Sequence, residues 1–172
     1  MWPFTKKKTI DVEQRADEST EDVLLKAFLQ QGEVSLEQAM QIPTFAGCVN
    51  KICDTISIIP IRLYKRVNGS TEEVDDDRVR LINEDTNDTF DGVSFKRAMV
   101  YDYLTGQGGY AFINKKGNRF LSLNYVDTGS ISFRANTDPI FKDYKITVNG
   151  KDYEAFQFLK ILRRTKNGYS NR

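Results

Sequence analysis

Gly106-Gln107-Gly108-Gly109 is the stretch most suggestive of ligand chemistry, because backbone N–H groups freed of side chains can cradle a phosphate. Its surroundings point elsewhere. Phosphate-binding glycines follow a strand and open a helix, whereas these close a helical pattern and open a β one. A glycine just past a helix is first a device for ending it. The acidic residues come next. Asp75, Asp76 and Asp77 are consecutive, which suits a weakly held divalent cation or, more simply, a solvated turn with carboxylates at a helix start. An EF-hand loop counted from Asn87 puts Asp91 and Gly92 at its fifth and sixth positions, but its twelfth is Ala98, where a bidentate Glu is required. The chain contains no histidine, which excludes a His-based triad, a Cys-His dyad and any imidazole-ligated metal. Cys48 and Cys53 lie five apart on a predicted helix, about 140° around its axis, so a disulfide between them would break it. They read as small core hydrophobes, with no base beside them to activate a thiol. We expect no enzyme, no cofactor and no metal.

Basic residues offer the remaining chemistry. From Lys142 onward there are eight Lys or Arg against three acidic residues. Lys160, Arg163, Arg164 and Lys166 could touch a phosphate backbone, an acidic neighbouring subunit, or only water. The segment lacks the interleaved aromatics of single-strand binders. Lys6-Lys7-Lys8 stands similarly. Over all 172 residues the balance is 25 basic to 24 acidic, so net charge selects no partner.

The elements that must position these residues follow from periodicity. Residues 1–34 are polar and read as a flexible or docked arm, with a short helix over Thr20–Gln30. Ser35 is an N-cap with Gln38 at the capping-box position. Pro43 opens a second helix whose Phe45, Val49, Ile52, Cys53 and Ile56 form one stripe facing a core. Pro60 ends it. Ile59, Ile61 and Leu63 then alternate as a strand, and Asn68-Gly69 turns it back to Thr71–Val74. A short helix is predicted over Asp77–Asn83, and another, capped by Asp91 or Ser94, to about Leu104, with Phe95, Ala98, Met99 and Tyr103 inward. Five strands follow: Tyr110–Ile113, Phe120–Tyr125, Ser130–Arg134, Phe141–Val148 and Tyr153–Leu162. The fold class is α+β, short helices followed by a mainly antiparallel twisted sheet. No run reaches the length of a membrane span.

Three pieces of sequence, in order, carry a resemblance. Ala46-Gly47-Cys48-Val49 leads through a helix to Ile59-Pro60-Ile61-Arg62-Leu63-Tyr64-Lys65-Arg66. Val79-Arg80-Leu81-Ile82-Asn83 and Asn87 follow, then Phe95–Leu104, Gly106 and Gly109-Tyr110-Ala111-Phe112-Ile113. Phe158-Leu159-Lys160-Ile161 and Lys166-Asn167-Gly168-Tyr169-Ser170 close the set. This order resembles the N-terminal, wing part of a tailed-phage portal protein of the HK97-type family, over about Ser35 to Ser170. Gln107 departs from the asparagine usual there. The resemblance implies a structural subunit of a ring, commonly dodecameric, at a capsid vertex. Double-stranded DNA passes through the channel of such a ring during packaging and ejection. Its partners would be further copies of itself, terminase, capsid and head-tail connector proteins, and it would assemble in the host cytoplasm. It further implies an arm over 1–34 and a wing-like domain over 35–172, with stem, clip and crown absent, as in an engineered fragment, a processed product or a truncated prophage gene. The alternative is a small nucleic-acid or phosphate-binding module using the basic C-terminal segment.

Overall fold

The computed structural model describes residues 34–138, 140, 143–163 and 168, together with Leu25. The arm and the helix predicted over Thr20–Gln30 otherwise lie outside the described residues. The chain divides into two units, Met1–Pro43 and Thr44–Arg172. In the first, helix α1 (Leu36–Met40) opens on the expected box: Ser35 Oγ accepts from Gln38 N (3.2 Å) and Gln38 Oε1 accepts from Ser35 N (3.0 Å).

The second unit contains α2 (Pro43–Ser57), whose first residue belongs to the preceding unit, and the hairpin β1 (Tyr64–Val67) with β2 (Ser70–Glu73). Next come α3 (Asp77–Asn83), α4 (Gly92–Thr105), β3 (Gly109–Lys116), β4 (Arg119–Val126), β5 (Ile131–Ala135), β6 (Tyr144–Val148), β7 (Lys151–Glu154) and β8 (Phe158–Ile161). Asn68 and Gly69 both take positive φ (49° and 86°), the geometry a two-residue hairpin loop demands. Asp76 caps α3: its carboxylate accepts from Arg78 N and twice from the Arg78 guanidinium, which hold its pKa at about 2. Asp91, rather than Ser94, caps α4, accepting from Ser94 N at 2.6 Å.

The α+β class stands, with two departures in its sheets. Residues 60–63 are not strand; β1 begins at Tyr64. The single strand expected over Tyr153–Leu162 is two strands in different sheets. A 3₁₀ turn, Ala155–Gln157, divides them and is closed by Gln157 Oε1 accepting from Glu154 N (3.0 Å). Strand orders are therefore β4-β3-β8 and β5-β6-β7, all antiparallel, with β1-β2 apart.

β3 explains how the layers stack, because successive side chains of a strand point to opposite faces. Ala111 and Ile113 join Leu81, Phe95, Met99 and Leu123 in a core under α3 and α4. Tyr110 and Phe112 join Ile131, Ile146 and Phe158 in a second core under the other sheet. The unit is thus helices on a central sheet on a second sheet. A bulge at Leu121, the unpaired residue where the register shifts, turns Phe120 onto the helix side with Leu123 and Tyr125. The Leu121 carbonyl it frees accepts from Asn87 Nδ2 at 2.8 Å.

One buried carboxyl joins α4 to the central sheet. Tyr125 Oη donates to Asp102 Oδ2 at 2.7 Å. Burial raises the Asp102 pKa, against the lowering effect of that hydrogen bond, and the Asp127 charge raises it further. A carboxyl whose folded pKa lies above its unfolded value stabilises the fold while protonated, and loses that contribution as pH rises through the interval. Asp102→Asn keeps an acceptor for Tyr125 and removes the charge. Its melting temperature relative to wild type should therefore rise as pH goes from 4 toward 7; a pH-independent difference would refute this.

Among the described residues no helix is long and apolar enough to cross a membrane.

Candidate assembly surface

The stripe expected on α2 is only half inside. Val49 and Cys53 are buried, whereas Phe45, Ile52 and Ile56 are exposed. Burial raises the Cys53 thiol pKa. Cys48 is exposed, contrary to its reading as a core residue, since it lies away from the Val49–Cys53 face. The polar flank of α2 is tied to α4: Arg97 Nε donates to Asp54 Oδ1 (2.8 Å) and Arg97 Nη2 to Asn50 Oδ1 (3.0 Å).

After α2 the chain runs through Ile58, Ile59 and Ile61, all exposed, Ile58 to 69%. Their backbone is nonetheless fixed. The Asn83 carboxamide accepts from Ile61 N (2.9 Å) and donates to Ile61 O (2.7 Å), standing in for a neighbouring strand. Lys96 Nζ donates to Ile59 O at 3.0 Å and, more weakly, to Asn83 Oδ1 at 3.5 Å. Two polar side chains thus hold a run of isoleucines in one conformation while its side chains face out. Asn83→Ala removes both bonds to Ile61 and should cost about 1–2 kcal/mol. Hydrogen exchange at the Ile61 amide should accelerate in that variant; unchanged exchange there would dismiss the pinning role.

Between this run, α4 and β8 lies an apolar groove of about 370 Å³, bordered by Ile56, Ile59, Ile61, Phe95, Met99 and Ile161, with Lys96 in its wall. A larger cavity of about 770 Å³ lies between α3 and the β3–β4 turn. Asp75, Asp77, Arg80, Lys115 and Arg119 ring it, and the paired Arg78 lies over the Phe120 ring at 5.6 Å. Its lining thus carries charges of both signs.

Of the basic residues singled out from the sequence, Lys160 and Arg163 are described. Lys160 Nζ donates to Tyr144 Oη and sits 5.0 Å from that ring's centroid. Arg163 is exposed, and Arg164 and Lys166 lie outside the described residues. The glycine run packs backbone against backbone. A Cβ on Gly109 would meet Met99 O at 2.5 Å, and one on Gly108 would approach Ile161 O at 3.0 Å, with φ already at +120°. Among the described residues no cluster of His, Cys, Asp and Glu could hold a metal ion.

A pinned apolar surface of this kind is one that a partner can cover. A family model described as phage portal protein matches residues 43–169, and the chain belongs to that family. Its role is therefore that of a structural portal protein in virion assembly and DNA packaging. No curated protein matches the chain.

Proposed function

We propose that the chain contributes the wing of an HK97-type portal ring, the passive channel through which double-stranded DNA enters and leaves the capsid at one vertex. Family membership over residues 43–169 carries this reading. The outward-facing isoleucines support it, because exposed apolar runs in a charged chain mark surfaces that a partner covers. Residues 1–34 form an arm on this proposal, and 35–172 the wing-like domain. The ring is assembled in the host cytoplasm, is commonly of twelve copies, and meets terminase, capsid and head-tail connector proteins. Lys160, Arg163, Arg164 and Lys166 face a neighbouring subunit or the DNA. Catalysis is not part of the role.

Light scattering with negative-stain electron microscopy tests it. Closed rings of identical subunits are the expected result. A monomer at every concentration that binds duplex DNA with steep salt dependence, lost in Arg163→Ala/Arg164→Ala, would replace this reading with that of a nucleic-acid-binding module.

A further inference from the structure

The wall of the apolar groove contains an unusual group. Lys96 is only 8% exposed, and no carboxylate pairs with it among the described residues. Its ammonium has three N–H donors, of which one makes a good bond to Ile59 O and a second a long one to Asn83. Burial lowers its pKa with no opposing charge. A buried cation without a counterion is costly. An occupant matching the groove would therefore bring an apolar side chain close to a carboxylate.

The same chain presents that combination on a different element. Phe156 is 71% exposed at the centre of the 3₁₀ turn between β7 and β8, and it is not among the residues bordering the groove. The turn is held by the reciprocal Glu154–Gln157 bonds and by strands in two sheets, so the ring projects from a fixed base. Glu154 lies two residues before it, half-buried, with its side chain partly open to solvent and its carboxylate 3.0 Å from Lys145 Nζ in a solvent-screened pair that another cation can share. A groove-to-groove contact would instead set one Lys96 against another, which like-charge repulsion disfavours.

We propose that the groove bordered by Ile56, Ile59, Ile61 and Phe95 receives Phe156 of a second copy of this chain, head to tail, with Glu154 of that copy facing Lys96. Such a contact uses two different patches on each subunit, so it propagates to a ring or a filament according to the rotation between copies. It rests on the portal reading for the choice of ring, and gives that ring a specific junction.

Phe156→Asp and Ile59→Asp change exposed side chains, so far-ultraviolet circular dichroism should be unaltered. Each should weaken self-association at least tenfold by sedimentation velocity. Mixed one to one, they should form dimers and nothing larger, because the intact Phe156 of one variant fits the intact groove of the other while the reverse junction is broken. Assembly that survives both substitutions overturns the docking and leaves the portal reading standing. A wild-type chain that stays monomeric and binds DNA overturns both.

Discussion

Replacing Phe95 by alanine should destabilise the domain by about 3–5 kcal/mol, the range for truncating a large buried aromatic. Phe95 is almost wholly buried in the core that α3 and α4 share with the central sheet, packed with Leu81, Met99, Ala111 and Leu123. For a chain of this length a loss of that size lowers the melting temperature by roughly 10 °C. The same ring also borders the apolar groove, so its removal should widen that groove and increase binding of an apolar fluorescent dye to the folded protein. Leu81→Ala removes a side chain of the same core that is not on the groove border, and should lower stability without the gain in dye binding. Equal dye binding by the two variants would show that groove and core are not continuous through Phe95.

What could be read from the sequence were features set by local chemistry. Ser35 with Gln38, Asp76 before α3, Pro43 at the start of α2 and Asn68-Gly69 each act within four residues, and each stands where its chemistry places it. The period-2 pattern of β3 and β4 was equally legible. Division of the strands between two sheets was not, because Tyr153–Leu162 reads as one apolar run while its break is a side-chain-to-backbone closure. Glu154 and Gln157, three apart, were the available signal: spacing of that kind marks a capped turn as readily inside a β region as before a helix.

The assembly surface was legible by half. Helical periodicity marks Phe45, Val49, Ile52, Cys53 and Ile56 as one stripe, but periodicity reports apolarity and not which neighbour covers it. Within one chain Val49 and Cys53 are buried and Arg97 of α4 bonds the Asn50–Asp54 flank, while Phe45, Ile52 and Ile56 face out. The alternation at Ile59, Ile61 and Leu63 was misassigned to a ladder: Leu63 O does accept from backbone, Val74 N, but the partner of Ile61 is the Asn83 side chain, 22 residues away. No pattern in the sequence pairs an asparagine at a helix end with a distant isoleucine. Lys96 was missed for a related reason. A lysine inside an apolar helical face ordinarily reaches water past its neighbours, whereas here its ammonium turns inward to the Ile59 carbonyl.

Alanine should have opposite effects at two helical glycines, and the contrast isolates backbone approach from helix propensity. Gly47 lies inside α2, exposed, with nothing within 4 Å of the position a Cβ would take. Gly47→Ala should therefore stabilise by about 0.5–1 kcal/mol, chiefly by restricting the unfolded chain. Gly92 is the first residue of α4, buried where the end of α3 passes beneath it, and its N–H donates to Glu84 O at 2.8 Å. A Cβ there would stand closer than 3.0 Å to Asn83 C, Asn83 O and Glu84 N, all backbone atoms that no rotamer change can move. The helix preference for alanine cannot offset such a clash, and Gly92→Ala should cost about 3 kcal/mol, lowering the melting temperature by roughly 6–12 °C. Displacing Asn83 would also loosen its hold on Ile61, so amide exchange at Ile61 should rise in Gly92→Ala and stay unchanged in Gly47→Ala. If both alanines stabilise, the close approach of α3 to α4 is not what Gly92 serves. The clamp on the isoleucine run would then depend on Asn83 and Lys96 alone.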